Sequence, residues 1–472
     1  MLDGQRSYGS SDRLRPLEFP VGYSSSSEAR YDEPTIAIRQ FSSGRSHILA
    51  LSDSGRIWSW YHAKKPSLQV KFANVDIREL TLKHSNTHSS KFGQVKRVVA
   101  GWGRSSAYVQ GMGIVVWDPV ERDARDGINE TDTMLVLDNA EIPKTGYRRL
   151  KGIYSESSDD SALGAEVGSV SNYIILEQYV VFVTDIGKAF CGRFGDKNKV
   201  DRILELRQLR NDTGTALDVQ GSFHSFAIFR NKEVILSDQD YLEACWTTQQ
   251  TDPEQKDVRG LLRIPALQHN NVISVAFGDY HYLALHSNGK ITSYGMELQG
   301  CGALGLGHDG VAGAQARGVV FDRFNHNGRL LPHSYTYGRE VWFDTRKQEW
   351  LEHITQGGAD PEESKQRREL YTNDHHVQGE VSEWVEQESR ALDQGDGEDG
   401  LGAYFALGVS AAGWHSGALV LVNEDLASEP MHTCTSSHFP RLKLSDGTEM
   451  PGQRCFDEWR EGRPEWQFDG QV

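Results

Sequence analysis

The chain has 472 residues, 38% of them hydrophobic and 25% charged, with a net charge of −16. That apolar share supports packed cores and excludes wholesale disorder. The acidic balance argues against the phosphate backbone of a nucleic acid as the main ligand, leaving room only for a local basic patch.

The elements follow in chain order. Residues 1–34 are polar, with four serines at 24–27, and read as a leader outside the core. Residues 35–337 carry a strand pattern that repeats. The first copy, IRQFSSGRSHILALSDSGRIWSW (38–60), holds Gly44, His47, Ala50, Leu51 and Gly55. The second, at 95–117, has Gly101, and Arg104 takes the histidine position. The third, at 171–192, has Tyr179 there. The fourth, at 216–236, offers Gly221 and His224. The fifth, VISVAFGDYHYLALHSNGKITSY (272–294), matches the first almost anchor for anchor, with Gly278, His281, Ala284, Leu285 and Gly289. A sixth, at 404–423, holds His415 after a long gap. Apolar runs of four to eight residues around each anchor are strand signatures. Asp53-Ser54-Gly55 and Ser287-Asn288-Gly289 are hairpin turns, because glycine tolerates positive φ. One hairpin does not bury its own face, and radial stacking does. The expected fold is all-β: a propeller of about six to seven blades, with a helical insertion near the C-terminus.

Charged stretches at 121–133, 153–161 and 247–258 read as surface excursions. Residues 338–400 depart from the strand pattern. Asp360-Pro361-Glu362-Glu363 has the form of a helix start. A second helix is predicted over 380–393, with Val381, Trp384, Val385 and Glu388 on one side. That insertion is expected to cap a face or an edge of the propeller. Residues 401–472 are read as the last blade, ring closure and tail.

The copies resemble the repeats of the regulator of chromosome condensation family, with their Gly-x-x-His, small-apolar pair and aromatic-Gly ending. CGALGLG at 301–307 looks like that family's Gly-x-Leu-Gly-x-Gly segment. Taken with PHSYTYGREVWF (332–343), SEWVEQE (382–388) and AAGWHSGALVLVN (411–423), the chain also resembles fungal SCF-associated-factor proteins. Those join an F-box to such a propeller and recruit substrates to a cullin-RING ubiquitin ligase. The polar residues before the first copy do not resemble the Leu-rich helices of an F-box. The resemblance therefore implies a substrate-binding part, with a Skp-type adaptor and a cullin as partners only where an F-box lies upstream.

The recurring histidines, His47, His224, His281 and His415, admit two readings: a catalytic or metal-binding set, or a packing position. They recur once per blade, so the ring separates them. A buried histidine hydrogen-bonded to a neighbouring turn fits better, and no metal or cofactor is expected. The five cysteines (191, 245, 301, 434, 455) show neither zinc spacing nor a disulfide framework, which suits a reducing compartment. No stretch nears ~18 apolar residues, so no membrane span is expected. No apolar run marks the N-terminus as a secretory signal. A monomer in cytoplasm or nucleus follows. No G-x-S-x-G, Walker or H-E-x-x-H motif is present, and the chain is read as no enzyme.

Binding is the expected role, on loops held by a rigid scaffold. The residue before each anchor histidine probes the rim. Phe223, Tyr280 and Trp414 fall there as large aromatics, with Trp102 and Arg104 beside them. Exposed together they would form a protein-binding patch; alternatively they pack between blades. Three functions stay open: a substrate-recruiting ligase propeller, a guanine-nucleotide exchange factor for a small GTPase, and a plain protein-interaction scaffold.

Overall fold

The computed structural model describes residues 37–61, 66–79, 93–119, 134–146, 168–249, 251–268, 271–307, 312–331, 338–355, 375–391, 401–428, 433–434 and 442–443. The leader, the loops at 121–133 and 153–161, the Asp360 helix start and most of the tail lie outside them.

All six repeat copies fold as antiparallel strands. The first sheet runs β1 (Ile38–Ser43), β2 (Ile48–Ser52), β3 (Ile57–Trp60) and β4 (Leu68–Phe72). The second runs β5 (Val95–Ala100), β6 (Ser105–Val109) and β7 (Gly113–Trp117). β8 (Met134–Leu137) joins β4 in parallel, and β9 (Ala140–Glu141) pairs with β7. The third holds β10 (Val170–Ile175), β11 (Tyr179–Thr184), β12 (Ala189–Arg193) and β13 (Ile203–Glu205). The fourth holds β14 (Asp218–Ser222), β15 (Ser225–Arg230) and β16 (Glu233–Asp238), followed by helix α1 (Gln239–Thr248). These four sheets fall in one compact unit, apart from residues 232–234.

Packing explains why the strands read as apolar runs and not as alternations. β11 is YVVFVT, and all six residues are buried. Val180 and Phe182 join the core shared with the second sheet, around Ile114, Val116 and Tyr173. Val181 and Val183 join the core shared with the fourth, around Val219, Phe226 and Ile228. A sheet covered on both faces has no polar face to display. Each fully buried Val or Phe contributes about 1.5–3 kcal/mol by leaving water. First strands neighbour first strands, β1 with β5, β5 with β10 and β10 with β14, which is the stacking of propeller blades.

The second unit comprises residues 232–234 and those from Arg263 onward. It holds β17 (Val272–Phe277), β18 (His281–His286) and β19 (Ile291–Glu297). Helix α2 (Ala312–Ala316) and strands β20 (Val319–Phe321), β21 (Gly328–Leu330) and β22 (Arg339–Glu340) follow, with β21 and β22 both on β19. Leu304 and Leu306 of the CGALGLG segment are buried with Ala314, Val319 and Leu330.

Two helices come next: α3 (Thr345–Thr355), and α4 (His375–Ala391), which starts five residues before its predicted position. Val381, Trp384 and Val385 are buried, as the apolar stripe predicted. The helix also buries Gln378, Glu380, Ser382, Glu386 and Ser389. These are held by partners: Glu386 by Arg317 at 3.2 Å, and Ser382 by the Arg339 guanidinium of β22 at 2.6 Å. Gln378 donates to the carbonyls of Gln315 and Val319. The insertion thus covers the outer edge of the β17–β18–β19 sheet. The sixth copy forms β23 (Tyr404–Ala412) and β24 (His415–Val422), which pair only with each other among the described residues.

Candidate protein-binding surface at the blade turns

Each copy turns sharply between its first two strands. In the first, Gly44 N–H donates to the His47 carbonyl, leaving Arg45 and Ser46 as the turn. The same bond joins Gly101 to Arg104, Leu176 to Tyr179 and Gly278 to His281. The Gly-x-x-His spacing has a steric origin. A Cβ on Gly44 would meet the His47 ring at 2.7 Å and the Gly101 carbonyl at 2.5 Å; on Gly278 it would meet the His281 ring at 2.2 Å. The ring folds back over the glycine and reaches the next sheet. His47 Nε2 lies 2.8 Å from Ser105 Oγ, and His281 Nε2 lies 2.8 Å from Ser416 Oγ. Burial pushes both histidines down to about 4, so they are neutral packing groups. Among the described residues no group of three or more His, Cys, Asp or Glu is placed to hold a metal ion.

Two anchors differ from expectation. In the fourth copy Ser222 pairs with Ser225, so the turn is Phe223-His224 and Ser225 occupies the histidine slot. Phe226 and Ile228 accordingly face the third sheet. The spacing from Gly221 is retained while the register moves by one residue, and Phe223 adopts φ 55° in the two-residue turn. His224 therefore sits on the rim. His415 keeps its register opposite Ala412 but is exposed.

The shift brings four turns of the first unit together. Phe223 stacks on Trp102, with ring centroids 4.0 Å apart and planes 27° apart. The Arg45 guanidinium lies 4.2 Å above the Trp102 ring. Phe223 also meets the His224 ring edge-on, and His224 Nε2 is 3.6 Å from Glu177 Oε2. The Glu177 N–H donates to the Phe223 carbonyl. Gln239, at the start of α1, locks the group: its Oε1 accepts from Gln178 N at 2.7 Å and its amide donates to His224 Nδ1. Trp102 and Phe223 are half-buried and Arg45 is exposed. Arg45 and Glu177 were not singled out by the sequence; they stand at the same turn position as Trp102 and Phe223.

Arg104 is committed to holding blades. Its Nε donates to Asn198 Oδ1 at 2.7 Å, its Nη1 donates to the Glu177 carbonyl, and its guanidinium covers Phe194 at 4.5 Å. Burial pulls its pKa down, against the carboxylates of Asp118 and Glu177. Tyr280 and Trp414 lie in the second unit, on turns joined by the Asp279 N–H to the Gly413 carbonyl, and are 51% and 37% exposed. Tyr280 and Trp414 are thus rim residues, and Phe223 belongs to the Trp102 stack.

Comparison with known proteins agrees with these repeats. The model of the regulator of chromosome condensation (RCC1) repeat matches residues 272–302, the fifth copy. SCF-associated factor 1 of Saccharomyces cerevisiae is 27% identical over 273 residues, 56% of this chain and 34% of that protein. F-box protein pof9 of Schizosaccharomyces pombe is 26% identical over 278 residues, 58% of this chain and 48% of that protein. The chain thus spans about a third to a half of the length of the curated relatives it matches. Among solved structures, Prp20p of Saccharomyces cerevisiae aligns with 82% of this chain and 70% of its own, at 12% identity and a TM-score of 0.38.

Proposed function

We propose that this chain is the substrate-recruiting propeller of an SCF-type ubiquitin-ligase adaptor, and that it binds proteins without catalysing a reaction. The similarity to an SCF-associated factor and an F-box protein over more than half of the chain carries this reading. The turn cluster supports it: a tryptophan, a phenylalanine and an arginine stacked on a rigid rim match the composition of interface hot spots. Affinity purification of the endogenous protein tests it. Recovery of a Skp-type adaptor and a cullin, with client proteins that accumulate when the locus is deleted, is the expected outcome. Purification from the native host without either ligase component would overturn it.

A second reading, an exchange factor for a small GTPase, draws on the RCC1 repeat match at 272–302. Stimulated nucleotide release from a Ran-type GTPase would move the assignment there.

A further inference from the structure

Three of the four first strands of the first unit, β1, β5 and β10, share an irregularity at the end opposite the turns. The register of β1 slips between Ile38 and Gln40, that of β5 between Val95 and Arg97, and that of β10 between Val170 and Asn172. Each slip is a bulge, which re-aims one side chain out of the strand's alternation. The bulged residues are Arg39, Lys96 and Ser171, and all three are exposed. They converge on one cavity of about 590 Å³, lined also by Arg97, Tyr108 and Tyr173. That volume lies in the range of ligand sites. Three of its lining residues are cationic and none is acidic, in a chain of net charge −16. The nearby Asp218 is engaged by the Asn172 and Gln220 amides.

Arg97 breaks a rule its neighbours keep. At the equivalent register position Gln40 clamps the next blade, donating to the Val98 carbonyl at 2.9 Å and accepting from the Val98 N–H at 3.1 Å. Asn172 makes the donor half of that clamp, to the Val219 carbonyl at 3.1 Å. Arg97 makes no such clamp: its guanidinium has donors only and cannot accept the Tyr173 N–H, which Asn172 Oδ1 takes at 2.8 Å, and Arg97 Nε is buried with no hydrogen-bond partner among the described residues. An anion in the cavity would face the Arg97 side chain together with Arg39, whose Nη2 donates to the Val95 carbonyl at 2.6 Å, and Lys96, whose Nζ donates to Gln94 Oε1 at 3.1 Å.

We propose that this cavity binds an acidic side-chain group, phosphate or clustered carboxylate, on a segment of a partner protein. The proposal rests on the protein-binding reading above and adds the chemistry of the bound segment. Fluorescent peptide pools with a fixed central phosphoserine, Glu-Glu or serine test it by anisotropy against the full chain, with inorganic phosphate as competitor. The phosphoserine or the Glu-Glu pool is expected to bind and the serine pool is not; which acidic pool binds assigns the source of the anion. Arg97→Gln introduces the amide that Gln40 already carries at that position, and it should weaken acidic binding about ten-fold or more. The exposed Lys96→Gln should weaken it as well, with an unchanged melting temperature. Equal binding by the wild type and both variants, or binding of no acidic pool, overturns the proposal. Adaptor co-purification is scored separately: anion binding without a Skp-type adaptor keeps the cavity and removes the ligase role, and the reverse result does the opposite.

Discussion

His47 reaches across two sheets to Ser105: the imidazole Nε2 and the hydroxyl are 2.8 Å apart, both residues fully buried. The pair fastens the turn of one blade to the second strand of the next. Ser105→Ala would leave the ring nitrogen without its partner in a dry site. The loss should be about 1–3 kcal/mol in urea unfolding of the first unit. An unchanged midpoint would show that the bond contributes nothing net.

The same histidine makes stability depend on pH. Burial holds His47 at about 4 in the folded chain, against 6.5 when exposed. Its Nδ1 is buried without a hydrogen-bond partner among the described residues, so a proton there would meet no acceptor among them. Between about pH 6.5 and 4 the unfolded chain binds a proton that the folded chain does not. Stability is therefore complete above pH 6.5 and falls as the pH drops through that window, by up to ~1.4 kcal/mol per unit. His281, also held at about 4 by burial, adds a parallel loss in the second unit. His47→Gln should flatten the dependence of the first unit; an identical slope in the variant would remove His47 as its source.

These anchors were legible in the sequence because steric need and spacing coincide. Gly44 and His47, and Gly278 and His281, must stand three apart for the ring to fold over the glycine. The runs VVFV and ILAL were legible as strands, and the structure adds that they are packed on both faces. The one-residue shift at His224 was not legible, because Gly221 and Ala227 keep the repeat's spacing while the hairpin closes one residue later. The early start of α4 was hidden for a different reason. Gln378 is buried against acceptors on other elements, the Gln315 and Val319 carbonyls, and a polar residue carries no local sign that its acceptor lies elsewhere in the fold. The meeting of Arg45, Trp102 and Phe223 is likewise a property of stacked blades, visible only once equivalent turns are superposed.

Arg317 and Glu386 form an ion pair with side chains 3% and 4% exposed, and the Arg317 guanidinium also lies 3.5 Å from the centre of the Trp342 ring. Removing one member of a buried pair strands the other charge. Glu386→Ala should destabilise the second unit by about 3–5 kcal/mol. Replacing both by apolar residues of similar volume should restore much of the loss. A double variant as unstable as the single one would place the cost in packing of α4 and not in the unpaired charge.

Trp102 and Arg104 sit two residues apart and separate binding from stability. Trp102 presents one face to Arg45 and the other to Phe223 at a half-exposed rim, while Arg104 is spent on Asn198, Glu177 and Phe194. Trp102→Ala should lower capture of client proteins about thirty-fold or more, the ~2 kcal/mol of an interface hot spot, with only a small shift in melting temperature. Arg104→Ala should do the reverse: it removes ties between sheets and lowers the melting temperature, while at a temperature where the variant is folded its client capture stays near wild type. If Trp102→Ala retains its clients, the turn cluster is a packing device and the binding surface lies on another part of the blades.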